Sequence, residues 1–408
     1  MAQSNGVKRQ GTARRAATAG TLAGASVAVG VWAGKRMQSF AQQERPEGMV
    51  NWDRSREIAT KMNKGEVLTA AERRRLDAYY SELVERCIPI VSEYTGTELP
   101  DSGRRTFAFD RVDWINANLA GFERMFEPIE ALNLTRGRKN TVARLWNGVN
   151  QGVLSYEVGL LLGYMARRVL GQYDLALLGR EPVSTGKLYY VEPNIRGIEA
   201  KLGLPREDFR MWLALHETTH AFEFEAHPWV REHFNGTLDR YMDFMKQDAD
   251  QLKQGLEGLK AIASRTRSKE GKETGSWIEA FMNPEQRALF SEMQAMMCVI
   301  EGYSNHIMNA VGRGLLPNYE LISKRFEERQ SQRSQADQIF ARMTGLDVKM
   351  EQYRAGEKFI DDIVAQRGHA FAHRVWDGPE NLPTMEEIRN PNLWIARVDS
   401  TMLAATGV

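Results

Sequence analysis

Apolar residues recur every three or four positions along most of the chain, and this spacing predicts a protein built mainly of helices. The segment 69–96 shows the pattern, because Leu76, Leu83 and Cys87 fall on one helical face. Gly96 is the predicted end of this helix, since glycine is favoured just after a helical C-terminus.

The best strand candidates are two short runs that are rich in aromatic and branched residues. One lies within 105–115 and the other is "KLYYVEPNI" over 187–195. The predicted fold class is therefore mainly α, an α+β arrangement with a small sheet. Further helices are predicted over 112–130, within the apolar region 140–179, over 236–263 and from Pro284 onward, and the charged stretch 264–276 is predicted to be a surface loop.

The pattern divides the chain into three regions: a flexible N-terminal segment over 1–48, a folded domain over 49–400 and a tail over 401–408. The domain could be one body or two lobes that flank a site. Residues 16–34 are about as long as a membrane span, but they are rich in alanine and glycine. Two interpretations stay open for 16–34, membrane association or a flexible soluble segment, and the predicted location of the folded part is the cytoplasm.

Composition narrows the class of protein. The chain has 54 Lys plus Arg against 53 Asp plus Glu, which gives no reason to expect nucleic-acid binding. The two cysteines, Cys87 and Cys298, are too few for a disulfide framework and favour a reducing compartment. The composition does not indicate an oligomeric state.

The most informative motif is "HETTH" at residues 216–220, on a predicted helix that begins after Pro205. Its spacing places His216 and His220 on one helical face, where both imidazoles can bind the same metal ion. Glu217 lies beside them, where it can take a proton from water. Two imidazoles and a carboxylate suit zinc, so one Zn²⁺ per chain is predicted. The alternative is two core histidines that flank a glutamate by chance.

A third ligand is needed, and Glu301 is the preferred candidate. It lies within the apolar stripe of a helix whose predicted start is Asn283, Pro284 and the capping residue Gln286. Asn305 follows Glu301 by one helical turn, where a side-chain oxygen can orient a ligand histidine.

Other interpretations of these residues stay open. Glu223 and His227 are nearer to the motif and are alternative third ligands, although His227 is one position away from the spacing of a metzincin histidine. Glu301 could instead form a buried ion pair with Arg167 or Arg168.

Hydrolysis of a carbonyl compound also needs a donor that stabilises the developing oxyanion. His306, Tyr303 and the pair Tyr189–Tyr190 are candidates, and the sequence does not choose among them. The strand over 188–191 could also bind an extended peptide by edge pairing.

Eight stretches of the chain match one known family: "DRVDWINANL" (110–119), "RRVLGQYDLALL" (167–178), "LYYVEPNI" (188–195), "DFRMWLALHETTHAFEF" (208–224), "PEQRALF" (284–290), "EGYSNHIMNAVG" (301–312), "GLDVKMEQYRAGEKFI" (345–360) and "GPENLPTMEEIRNPNLWIARV" (378–398). Through them the chain resembles, from about Val50 to Val398, the bacterial zincin-like metallopeptidase type 2 family. The resemblance implies a zincin-like metalloprotease fold with an active-site helix, a second ligand helix and a small sheet. It implies His216, His220 and Glu301 as zinc ligands and Glu217 as the general base.

Two positions depart from the family pattern. Asn305 stands where the family usually has Asp, which keeps an acceptor behind a ligand histidine but removes a negative charge. Glu223 stands where Gln is frequent and adds a carboxylate near the metal. Both positions are therefore predicted to contact the ligands, and neither change removes the zinc site.

These observations predict a zinc-dependent hydrolase, a gluzincin-like metallopeptidase that acts on a peptide or protein with Glu217 as general base. The first alternative is a non-catalytic scaffold that needs zinc only for folding. The second is an accessory binding protein, an idea that rests only on the association of some family members by name with deazaflavin coenzyme biosynthesis.

Overall fold

A computed structural model describes residues 48–65, 67–131, 141–171, 187–247, 283–331 and 346–406. The predictions for the N-terminal segment, including 16–34, and for the loop 264–276 fall outside these residues. Among the helices that the described residues form, none has the length and apolar character needed to cross a membrane.

Helices make up most of the described chain, as the periodicity predicted. They are α1 (Trp52–Met62), α2 (Ala70–Thr95), α3 (Arg111–Ala131), α4 (Thr141–Met165), α5 (Glu192–Leu202), α6 (Arg206–Ala221), α7 (Pro228–Gln247), α8 (Pro284–Leu315), α9 (Tyr319–Ser331), α10 (Leu346–Arg367), α11 (His369–Ala372), α12 (Met385–Arg389) and α13 (Pro391–Thr406). Short 3₁₀ segments cover Asp101–Arg104, His373–Trp376 and Pro379–Asn381, and a π-helical segment covers Phe222–Ala226.

Two helix ends lie at the residues predicted from the sequence. Helix α2 ends at Gly96, which adopts a left-handed conformation with φ of 69°. Helix α8 begins with Asn283 as N-cap, and the side chains of Asn283 and Gln286 form a reciprocal capping box. The predicted helix over 236–263 begins earlier, because Pro228 suits the first helical position and starts α7.

The sheet consists of two parallel strands, β1 (Arg105–Phe109) and β2 (Lys187–Val191), paired from Arg105 with Lys187 to Phe109 with Val191. The predicted strand over 187–195 was therefore too long. It ends at Val191 because the following residues, with Pro193 in the first turn, form α5.

The sheet lies between two hydrophobic clusters. Tyr190 faces the larger cluster and its ring stacks on Tyr80 of α2, with the ring centroids 4.1 Å apart. Tyr189 faces the smaller cluster, where it stacks on Phe109 at 4.6 Å. A strand that is buried on both faces carries apolar residues in succession, which explains the sequence of β2.

A buried ion network anchors the first half of α6. The Arg210 guanidinium donates two hydrogen bonds to Glu192 at 2.8 and 3.0 Å and a third to Glu199 at 2.6 Å. The Tyr80 hydroxyl donates to Glu192 at 2.7 Å. Burial raises the pKa of Glu192, but the bonds from Arg210 outweigh it and hold that pKa below its usual value. The carboxylate is thus ionised and ties α6 to α2 and α5.

Helix α8 packs backbone against backbone on α10. A Cβ atom at Gly302 would lie 2.2 Å from the carbonyl carbon of Gly356, and one at Gly356 would lie 1.9 Å from the carbonyl oxygen of Cys298. No side chain fits at either contact. The two glycines therefore set the distance between the helices immediately beside Glu301.

Candidate metal centre

Helices α6 and α8 bring three predicted ligands together. One donor atom from each of His216, His220 and Glu301 lies within 4.8 Å of the other two. The two imidazole centroids are 4.5 Å apart, and their planes are inclined by 78°. Within the described part of the chain, no other set of three or more possible donors meets this criterion. Two imidazoles and one carboxylate, with a position left for water, match the donor set of a catalytic zinc site.

His220 is oriented by Glu223. Its Nδ1 atom lies 2.6 Å from Oε2 of Glu223, and both side chains are almost fully buried. Because Nδ1 is engaged by Glu223, Nε2 is the atom of His220 that would bind a metal ion, and a metal ion on Nε2 would leave the proton on Nδ1. Burial and the neighbouring His216 hold the pKa of His220 well below its usual value, which keeps the ring in the neutral form that binds metal.

The electrostatics around Glu223 favour a cation. Burial and the nearby carboxylate of Glu301 raise the pKa of Glu223 well above its usual value. Two carboxyl groups so close together are costly to ionise unless a positive charge lies between or beside them. A divalent cation at the three donors would supply that charge and stabilise the ionised form of Glu223.

A π-helical segment carries Glu223. The backbone leaves regular α-helical geometry after Ala221 and widens over Phe222–Ala226, while Glu223 follows His220 by three positions and so lies beside it. Such π segments are frequent at functional sites. Here the segment carries Glu223 and Glu225, of which the second turns away to Arg231 at 2.8 Å.

His216 is held by two neighbours. Its Nδ1 atom lies 3.1 Å from the Ser304 hydroxyl, and its ring stacks on Trp212 with the centroids 5.8 Å apart. Ser304 was not among the predicted residues, although it follows Glu301 by three positions on the same helix and so shares its face. Asn305, to which the sequence assigned such a contact, is half-buried next to Ser304, and its role stays a prediction.

Glu217 follows His216 on α6 and is fully buried. It is not one of the three grouped donors. Its carboxylate packs against the backbone of Gly171, where a Cβ atom would lie 2.0 Å from Oε1. The site therefore combines three candidate metal donors with a second carboxylate, Glu217, which packs against Gly171.

The other candidates have contacts elsewhere. His227 lies against His373 and Trp376, with ring centroids 5.7 and 5.6 Å away, and burial together with His373 lowers its pKa to about 4. Arg167, an alternative ion-pair partner of Glu301, donates to the Asn63 side chain and to the Met62 carbonyl oxygen.

Two of the predicted oxyanion donors, Tyr303 and His306, are engaged in hydrogen bonds. The Tyr303 hydroxyl is bonded to Nδ1 of His373 at 2.8 Å, and burial raises its pKa far above the usual value, so that the phenol keeps its proton. His306 is bonded through Nε2 to the Tyr94 hydroxyl at 2.7 Å and through Nδ1 to Asp361. Their part in transition-state stabilisation stays a prediction. The rings of the other candidate pair, Tyr189–Tyr190, are packed in the two hydrophobic clusters.

We expect Glu223→Ala to weaken zinc binding by about 10- to 100-fold, the range observed when a carboxylate behind a ligand histidine is lost. Glu223→Gln should have a smaller effect, because the amide oxygen can still accept a hydrogen bond from Nδ1 of His220. Competition with a chromophoric chelator measures both affinities. Glu225→Gln, on the same π segment but paired with Arg231, is the matched control. An unchanged affinity in Glu223→Ala would contradict the orienting role.

The geometry of two ligand helices, one carrying H-E-x-x-H and the other a glutamate, defines the zincin class of site. Comparison with known proteins agrees with this class. The chain belongs to the zincin-like metallopeptidase family, whose family model matches residues 50–395.

A similar fold has been solved. A crystal structure from Chloroflexus aurantiacus, described as "a putative hydrolase with a novel fold", is 39% identical in sequence and superposes with a TM-score of 0.64. The alignment covers 86% of this chain and 99% of that chain. No curated protein matches the sequence. Family and neighbour together support a hydrolase of the zincin type.

Proposed function

We propose that this protein is a zinc-dependent metallopeptidase that hydrolyses amide bonds with Glu217 as general base. The observation that carries the proposal is the grouping of His216, His220 and Glu301 around one point, with Glu217 next to the first ligand in the chain. Membership of the zincin-like metallopeptidase family supports the choice of an amide as substrate.

The three donors would hold zinc, which when bound supplies Lewis-acid chemistry and makes water acidic enough to attack near neutral pH. The Glu217 carboxylate would accept a proton from the attacking water as its oxygen bonds to the scissile carbonyl carbon. The same carboxyl group would then give that proton to the departing amine nitrogen when the carbon–nitrogen bond breaks. Glu217 thus ends the cycle ionised, as it began.

Charge in the transition state builds up on the former carbonyl oxygen, and a nearby donor would stabilise it. Tyr303 is the better supported of the predicted donors, because its phenol stays protonated and Glu223 is close enough to affect its pKa. The hydrogen bond to His373 would orient the hydroxyl group.

A second candidate function is a zinc-stabilised scaffold without catalysis. The observation in its favour is the complete burial of Glu217. A general base must contact the attacking water, and a fully buried carboxylate is shielded from bulk water. The two functions share the metal site and differ only in whether Glu217 exchanges protons. A variant of Glu217 therefore separates them.

Metal removal tests the shared part of the proposal. We expect purified protein to contain one zinc per chain by elemental analysis and to cleave members of a peptide library. Dialysis against a chelator should abolish cleavage, because the three donors cannot replace the Lewis acid, and added zinc should restore it. The control is His233→Ala, which removes a histidine that pairs with Glu292 away from the donors. Cleavage that persists at the original rate after zinc has been removed would refute the proposal.

A further inference from the structure

Gly171 lies directly against the proposed general base. A Cβ atom on this residue would be 2.0 Å from Oε1, 2.1 Å from Cδ and 2.7 Å from Oε2 of Glu217. These distances are far below any normal carbon contact, so the carboxylate occupies the space that a side chain at this position would fill. Of the two faces of the carboxylate, one is therefore covered by bare backbone.

The need for glycine here is spatial and not conformational. The described glycines whose φ lies in the range that favours glycine are Gly48, Gly96, Gly203 and Gly368, and Gly171 is not one of them. The three heavy atoms nearest to a Cβ atom at Gly171 all belong to the Glu217 carboxylate.

The backbone of Gly171 cannot easily withdraw from Glu217. The preceding residue, Leu170, accepts a hydrogen bond at 2.8 Å from the backbone N–H of Val191, the last residue of β2. The Asn194 side-chain amide donates to the carbonyl oxygens of Ala166 and Val169 at 2.8 and 2.7 Å. The segment that ends at Gly171 is thus fixed to β2 and α5.

We propose that Gly171 is a positioning residue that fixes the carboxylate of Glu217 relative to the three metal donors. The inference rests on the proposed function, since it gives a reason for the placement of the base. It assigns to residues 166–171 a part in catalysis without contact to substrate. A displacement of about 1 Å at a reacting group can cost about 100-fold in rate.

The first test is Gly171→Ala. The added methyl group should push the Glu217 carboxylate from its place and lower kcat by about 100-fold with little change in KM. Zinc content and zinc affinity should stay at the wild-type level, because the change does not touch His216, His220 or Glu301. Gly197→Ala is the matched control, since a Cβ atom there meets nothing within 4 Å.

The second test is a double-mutant cycle with Glu217→Asp, which shortens the carboxylate by one methylene group and withdraws it from Gly171. The loss of thermal stability caused by Gly171→Ala should be smaller in the Glu217→Asp background than in the wild type. The two substitutions should also be non-additive in kcat. Thermal stability and zinc affinity report on the contact even without hydrolysis.

The outcomes are distinguishable. Additive effects on stability, or loss of zinc in Gly171→Ala, would overturn the positioning role. If the wild-type protein cleaves no peptide, the proposed function fails, while the stability cycle still decides the contact. If Gly171→Ala does not fold, rescue of folding by Glu217→Asp supports the inference, and failure of the double variant to fold counts against it.

Discussion

Glu217→Gln is expected to lower kcat for peptide hydrolysis by about 10³-fold, within the range that general acid–base catalysis contributes. Glutamine keeps the shape of the side chain and its packing against Gly171, but it cannot take a proton from water at neutral pH. Because His216, His220 and Glu301 are untouched, the variant should keep one zinc per chain with near wild-type affinity.

Steady-state rates on the best library peptide, together with elemental analysis, measure both parts of this result. Glu207→Gln is the control, because Glu207 lies in the first turn of the same helix and accepts a hydrogen bond from Tyr79 at the surface. Full activity in a zinc-loaded Glu217→Gln protein would exclude the general-base role. Zinc-dependent stability without activity in the wild type would favour the scaffold.

Glu301→Ala is the second substitution expected to have a large effect, on both zinc affinity and hydrolysis. Loss of a residue that only hydrogen-bonds a metal ligand weakens metal binding by about 10- to 100-fold. Loss of Glu301, a direct donor, should weaken zinc binding by more than this. Two imidazoles alone do not complete the donor set of a zinc enzyme, so peptide hydrolysis should fall in parallel. Zinc stabilises the folded state in proportion to the logarithm of its binding, so the rise in Tm on adding zinc should shrink as well.

Chelator competition and thermal unfolding with and without zinc test this expectation. Glu285→Ala on the exposed first turn of α8 is the matched control, since it removes a carboxylate from the same helix far from the donors. Unchanged zinc affinity in Glu301→Ala would show that another residue is the third ligand. Glu223 would then be the next candidate, because it already contacts His220.

The grouping of the three candidate donors could be predicted because helical spacing is local. A separation of four residues places His216 and His220 on one face whatever the rest of the fold does. Glu301 could be found because a carboxylate within an apolar stripe needs a partner when buried. The family resemblance supported both choices, and helices α6 and α8 bring the three residues together.

The surroundings of the donors were harder to predict. Ser304 contacts His216 because the side of α8 that carries Ser304 packs against α6. Nothing in the sequence distinguishes this serine from its neighbour Asn305 as the partner of a histidine. The π-helical segment has no sequence pattern comparable to helical periodicity. Gly171 lies far from the motif in the chain, so its contact with Glu217 depends wholly on tertiary packing.

The end of β2 is a boundary that the sequence does signal. Glu192, Pro193 and Asn194 are of residue types that are depleted in strands, and a proline in the first turn favours a helix start, so local preference and α5 agree. Tertiary contacts add to this local preference, since Glu192 joins the network with Arg210 and Tyr80.

Tyr189 and Tyr190 point to opposite faces of β2, and this arrangement fixes how β1 pairs with β2. A slip of one residue in the pairing of β1 with β2 would exchange the two rings between the hydrophobic clusters and displace the chain by about 3.3 Å. Val191 is hydrogen-bonded to Leu170, so the same slip would carry Gly171 away from Glu217. The packing of the two tyrosines on opposite faces of β2 therefore helps to hold Gly171 in place against Glu217.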